Sequence, residues 1–173
     1  MSCTGGATRR NLLLAAGAWA CANAASGQTL AVPSGPVLLT MRGKLKRTNQ
    51  GDSATFDMAM LEAAMQHSFS TKTPWFKDAR KFTGPLLRDV LAMAGASGST
   101  LRVGALNDYR IDVPADDARR FDVTLARLID DRPITVREKG PLFMIYPFDS
   151  DAALRNPLYY SRSVWQLKTI DVL

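Results

Sequence analysis

Histidine and cysteine are nearly missing from this chain of 173 residues: there is one histidine, His67, and there are two cysteines, Cys3 and Cys21. Zinc, haem, iron–sulfur and thiol chemistry draw on clusters of these residues, so those classes are left without ligands. No Gly-x-Gly-x-x-Gly or Gly-x-x-x-x-Gly-Lys loop occurs to cradle a phosphate, and no Gly-x-Ser-x-Gly elbow presents a nucleophilic serine. His67, between Gln66 and Ser68, reads as a capping or surface residue where a helix gives way to a strand. The 16 acidic residues are scattered among Lys and Arg, and Asp116-Asp117 before Arg119-Arg120 reads as a local charge pair. No catalytic residue and no metal ligand is expected.

What is present starts with a leader. Arg9-Arg10 precede an apolar stretch from Asn11 to Ala20, and Ala22-Asn23-Ala24 supplies the small residues of a cleavage site. The stretch is shorter than the roughly 20 apolar residues that span a bilayer. The expectation is a signal peptide over 1–24, a flexible segment over 25–36 and one domain over 37–173. Export to the periplasm would follow a twin-arginine-like or general secretory route. Cleavage removes both cysteines and two arginines, leaving 20 basic against 16 acidic residues and lowering the formal charge from +6 to +4. So modest and interspersed a charge, on an exported chain, argues against a nucleic-acid partner.

Hydrophobic periodicity outlines the domain. Leu39, Met41 and Leu45 alternate with Thr40, Arg42 and Lys44, the period of a half-buried strand. Asp57 suits the N-cap of a short helix whose stripe is Met58, Leu61 and Met65. Thr83-Gly84-Pro85 opens a second helix that buries Leu86, Leu87, Val90, Leu91 and Ala94 and ends at Gly95. Alternating residues on either side of Asn107-Asp108 predict a hairpin. A short helical excursion is expected over 115–121, a turn at Asp130-Asp131, and an apolar strand over 142–146. Trp165, Leu167, Ile170 and Val172 predict a closing strand, with a phase slip near Thr169 that suggests a bulge. About six strands and two main helices, without βαβ alternation, make a mixed, mostly-β domain of the α+β class.

The remaining chemistry-bearing residues sit beside turn breakers. Trp75 follows Thr73-Pro74; Asp108 and Tyr109 lie at the hairpin turn; Lys139 precedes Gly140-Pro141; Arg162 and Trp165 lead into the last strand. A planar heterocycle needs faces to stack on and polar groups around its edge. Trp75, Tyr109 and Trp165 can supply faces, while Asp108, Lys139 and Arg162 can supply edge contacts or hold an anion.

The order of motifs resembles a known fold. Phe82-Thr83-Gly84-Pro85-Leu86-Leu87-Arg88-Asp89-Val90-Leu91 resembles the helix entry of the sulfite-oxidase-type molybdopterin-binding fold. The segments Asp131-Arg132-Pro133-Ile134 and Lys139-Gly140-Pro141-Leu142, followed by Pro147, are similar to its paired Gly-x-Pro-Leu segment. The run from Arg162 through Trp165 to Val172 is similar to its closing motif, with Trp165 where the family has Lys and Gln166 where it has Trp. That family holds molybdenum through a cysteine thiolate before the helix entry; the corresponding stretch, 67–73, has no cysteine. A hydroxyl is a far poorer ligand for that role than a soft thiolate. Short, exported, cysteine-free members of this kind are similar to periplasmic pterin-binding proteins. The resemblance therefore implies a non-catalytic sensor that binds a pterin, in reduced form, and signals to a membrane-bound cyclic-di-GMP enzyme. The partner would be the periplasmic domain of a diguanylate cyclase/phosphodiesterase or of a sensor kinase. Trp75, Tyr109 and Trp165 would stack the ring, Asp108 would pair with its amino-pyrimidine edge, and Arg162 with Lys139 would meet tail or carbonyl oxygens. The alternative is a molybdopterin-dependent oxidoreductase with a non-cysteine molybdenum ligand.

Overall fold

The computed structural model describes residues 1–2 and 29–173. The expected leader, with Cys3 and Cys21, lies outside the described residues beyond its first two positions. The elements run β1 (Leu39–Gly43), β2 (Ala54–Phe56), α1 (Met58–Ala63), β3 (Gln66–Thr71), β4 (Arg80–Pro85) and α2 (Leu87–Ala94). They continue with β5 (Thr100–Ala105), β6 (Arg110–Pro114), α3 (Asp117–Arg120), β7 (Thr124–Ala126), β8 (Leu128–Ile129) and β9 (Arg132–Pro133). The chain closes with β10 (Phe143–Ile145), α4 (Pro157–Arg162), β11 (Val164–Trp165) and β12 (Leu167–Val172). The class is α+β, with strands predominating.

Three sheets carry these strands, in the orders β2-β1-β12-β5-β6, β3-β4-β8-β9 and β11-β10-β7. All pairs are antiparallel except β1 with β12. The five-stranded sheet follows directly from alternation. Leu39, Met41, Leu101, Val103, Val113, Ile170 and Val172 turn one face into the core and are buried. On the other face Arg42, Asp171, Arg102 and Asp112 stand opposite one another across four strands, a row of alternating charge. Close backbone approach, together with the edge-to-face packing of Phe82 on Phe143, joins the smaller sheets. A Cβ on Gly84 of β4 would collide with the Leu125 carbonyl of β7, so glycine permits the contact.

Capping chemistry sets the helices. Asp57 accepts from the Met60 N–H at 2.9 Å, and its second oxygen accepts from the Ser34 and Gly35 N–H groups at 2.7 and 2.8 Å. The described part of segment 25–36 is therefore fastened to the N-cap of α1, and Leu30 packs against the core. Those hydrogen bonds hold the buried Asp57 carboxyl below the ordinary aspartate range. Helix α2 buries Leu87, Val90 and Ala94 and ends on Gly95, whose φ of 62° is the left-handed cap expected of glycine.

Several expectations need correction. Among the described residues twelve strands replace the expected six or so, because strands of two or three residues such as β7, β8, β9 and β11 are too short to show a period. Thr83-Gly84-Pro85 ends β4 and does not open α2; Pro85 pairs with Gln66 in the ladder, and Leu86 takes the N-cap position. Helix α1 stops at Ala63, so Met65 leaves the stripe and is exposed. The closing strand is two strands in two sheets, divided at Gln166, whose φ is 52°. Its expected bulge is present as a register shift between Leu167 and Thr169.

Candidate functional site

A cavity of about 310 Å³ opens where the tip of the β5–β6 hairpin meets α4, β11 and the loop after β3. It gathers Trp75, Tyr109 and Trp165 from positions up to 90 residues apart, together with Asn107, Tyr160, Ser161 and Ser163. The convergence has an identifiable cause at Gln166. Its N–H donates to the Lys139 carbonyl at 2.9 Å, its carbonyl accepts from the Leu106 N–H at 2.9 Å, and its side-chain amide donates to the Val136 carbonyl at 2.8 Å. One residue thus ties the hairpin tip, the 136–139 turn and the β11–β12 junction together.

Aromatic packing makes the wall. Trp75 meets Trp165 edge to face, with centroids 5.5 Å apart and planes at 89°, and meets Phe143 at 5.5 Å and 63°. Tyr160 packs behind, 6.3 Å from Trp75 and 4.9 Å from Phe148. Such edge-to-face pairs each contribute about 0.5–1.5 kcal/mol beyond area burial. Tyr109, exposed at the hairpin tip, donates its hydroxyl to the Ser161 carbonyl at 2.9 Å and so bridges the hairpin to α4. The Asn107 side-chain Oδ1 accepts from the Tyr109 N–H, and its NH₂ has no acceptor among the described residues. The Ser161 and Ser163 hydroxyls donate to carbonyls of α4 and keep lone pairs to offer.

The other three sequence candidates lie elsewhere. Asp108 is exposed, holds a left-handed turn position with φ of 64°, and is outside the cavity lining. Lys139 places its ammonium 4.0 Å above the centroid of Trp165, a cation–π contact, and is also outside the lining. Arg162 points away from the cavity. Its Nη1 donates at 2.8 Å to Asp117 Oδ2, and the buried Tyr146 hydroxyl donates to the same oxygen at 2.8 Å. Burial first, and the Asp117 carboxylate second, push the Tyr146 phenol far above the ordinary tyrosine range. Arg162 thereby positions α4, which supplies Tyr160 and Ser161 and ends on the cap residue Ser163.

Asn107, Tyr160, Ser161 and Ser163 carry no sequence signal of their own, although all lie within or beside the runs that hold Tyr109, Arg162 and Trp165. The missed signal was Asn156-Pro157. The Asn156 side chain accepts from the Leu158 N–H at 2.8 Å, and Pro157 takes the first helical position. Read as extended chain, Arg162 lies three residues before Trp165 and faces the opposite side. Read as helix, it rotates roughly 100° from Ser161 and reaches Asp117. His67 sits in β3, its Nδ1 3.2 Å from the Thr124 hydroxyl, in a structural contact. Among the described residues no three His, Cys, Asp or Glu side chains form a group suited to a metal ion, and no helix is long and apolar enough to cross a membrane.

No protein-family model matches the chain, and no curated protein matches it significantly.

Proposed function

We propose that this protein is a non-catalytic, periplasmic pterin-binding module on a sulfite-oxidase-type molybdopterin-binding fold. Its ligand state is passed to a membrane-bound cyclic-di-GMP enzyme or a sensor kinase. One observation carries the reading. Three aromatic residues chosen from the sequence as stacking surfaces line a single cavity, with the neutral amide and hydroxyl groups of Asn107, Ser161 and Ser163 around them. A pterin ring offers two apolar faces and an edge of alternating donors and acceptors, which those groups complement. The volume sits at the lower end of the roughly 300–1,000 Å³ typical of small-molecule sites.

Calorimetric titration of the protein with tetrahydrobiopterin tests the reading. Saturable heat is expected, with a rise in Tm that grows logarithmically with ligand. Trp165→Ala should weaken binding about tenfold, the order of one stacking contact. Absence of both heat and Tm shift at millimolar ligand sinks the proposal. Stoichiometric molybdenum in protein expressed with an intact cofactor pathway would favour the oxidoreductase alternative instead.

A further inference from the structure

The charges around the cavity point to a narrower class of ligand, and this step rests on the pterin reading above. None of the residues lining the cavity carries a charged side chain. The two cations that the sequence offered to an anion are each engaged. Arg162, with its side chain only 16% exposed, is paired with Asp117, whose side chain is 5% exposed. Lys139 lies on the ring of Trp165. Withdrawing Arg162 would strand the Asp117 carboxylate in a buried site, which costs more than a new ion pair returns. A phosphate entering the cavity would surrender its hydration to neutral amide and hydroxyl groups, with no cation among the described lining residues to replace it.

We infer that the site is selective for an uncharged, phosphate-free ring with a short neutral tail and discriminates against phosphorylated forms of the same ring. The cavity reads the ring by stacking and by its amide-like edge. Asn107, Ser161 and Ser163 are the specificity-determining polar groups. The selectivity applies equally to a phosphorylated pyranopterin, so a scaffold resembling that of a phosphate-bearing cofactor has a pocket chemically suited to something simpler.

Matched pairs differing only in phosphate test this: 7,8-dihydroneopterin against its monophosphate, riboflavin against FMN, and adenosine against AMP. Titrations run at about 0.15 M salt, where the Debye length near 8 Å mutes the general positive charge of the surface. The expected result is that dihydroneopterin binds and its monophosphate binds at least about tenfold more weakly. Equal or tighter binding of any phosphorylated member than of its neutral partner overturns the selectivity and leaves the pterin reading standing. If neither pterin binds but riboflavin or adenosine outcompetes its phosphate, the pterin reading falls and the selectivity survives. Silence from all six compounds overturns both. Asn107→Lys supplies the missing cation and should narrow the gap within the bound pair at least threefold; an unchanged gap counts against the inference.

Discussion

The five-stranded sheet and the aromatic corner are held by opposite means. In the sheet every decision is local and repeated. Alternation sends Leu101 and Val103 into the core, while Arg102 stays out beside Asp112 and Asp171. Its close ion pair, Arg102 with Asp112, is half exposed to water, so losing it strands no buried charge. In the corner nothing repeats. Trp75, Asn107, Tyr109, Ser161 and Trp165 come from separate segments and meet through single contacts: the Gln166 junction, the Tyr109–Ser161 bridge, and the Tyr146–Asp117–Arg162 group. The lesson is that a surface built by period tolerates loss of any one polar contact. A cavity built by convergence does not.

The largest break in that comparison is Asp117→Ala. It leaves the Arg162 guanidinium and the Tyr146 hydroxyl together without their acceptor in a site where both are shielded from water. The expected destabilisation is about 3 kcal/mol, read by urea or thermal unfolding. Amide exchange should rise first across residues 157–163, since α4 loses its anchor. A loss below about 1 kcal/mol would mean that Arg162 finds solvent easily and does not position the helix. Tyr146→Phe keeps the ion pair and should cost about 1 kcal/mol, the worth of one hydrogen bond.

How legible each region was in the sequence follows from the same contrast. Periodicity exposed β1, the β5–β6 hairpin, the buried face of α2 and the bulge near Thr169, because each repeats over enough residues to show its phase. It could not expose β7 or β11, where two or three residues take their conformation from neighbours distant in sequence. At the site, aromatic residues beside turn breakers led to Trp75, Tyr109 and Trp165, since large rings near turns mark where loops gather. The charged candidates were harder to place. A charge is located by its partner, and Asp117, 45 residues from Arg162, leaves no trace in the local sequence.

Acid and alkali should separate the two regions by pH. Asp57, at the start of α1 beside the sheet edge, has its carboxyl held below the ordinary 3.8 by the N–H groups it accepts. Its contribution is complete above the unfolded value and disappears as pH falls through the lower folded one, so Asp57→Asn should flatten the acid limb below about pH 4. Tyr146 is the reverse case. Its folded value lies above the ordinary 10.0, so the stability it gives is complete below pH 10 and is lost as pH rises and the unfolded phenol ionises. Tyr146→Phe should therefore flatten the alkaline limb and leave the acid limb alone. Unfolding midpoints between pH 2.5 and 11 for the two variants check both signs. A variant that moves the opposite limb breaks the assignment.

The smallest effect is expected on the open face of the sheet. Arg102 donates through Nε and Nη2 to the two oxygens of Asp112 at 2.8 and 2.9 Å, a bidentate pair with near-ideal geometry. It raises the Arg102 value and lowers that of Asp112, chiefly through the shared hydrogen bonds. Yet both side chains are about half exposed, at 46% and 50%, so water and salt compete for each charge. A double-mutant cycle with Arg102→Ala and Asp112→Ala should give a coupling far below the loss in Asp117→Ala, and one that vanishes at 1 M NaCl, where the Debye length is about 3 Å. Geometry alone would rank this pair above Arg162–Asp117. A coupling that equals the corner's and resists salt would show that hydrogen-bond geometry, not desolvation, decides what an ion pair contributes in this fold, and the contrast between the two regions would collapse.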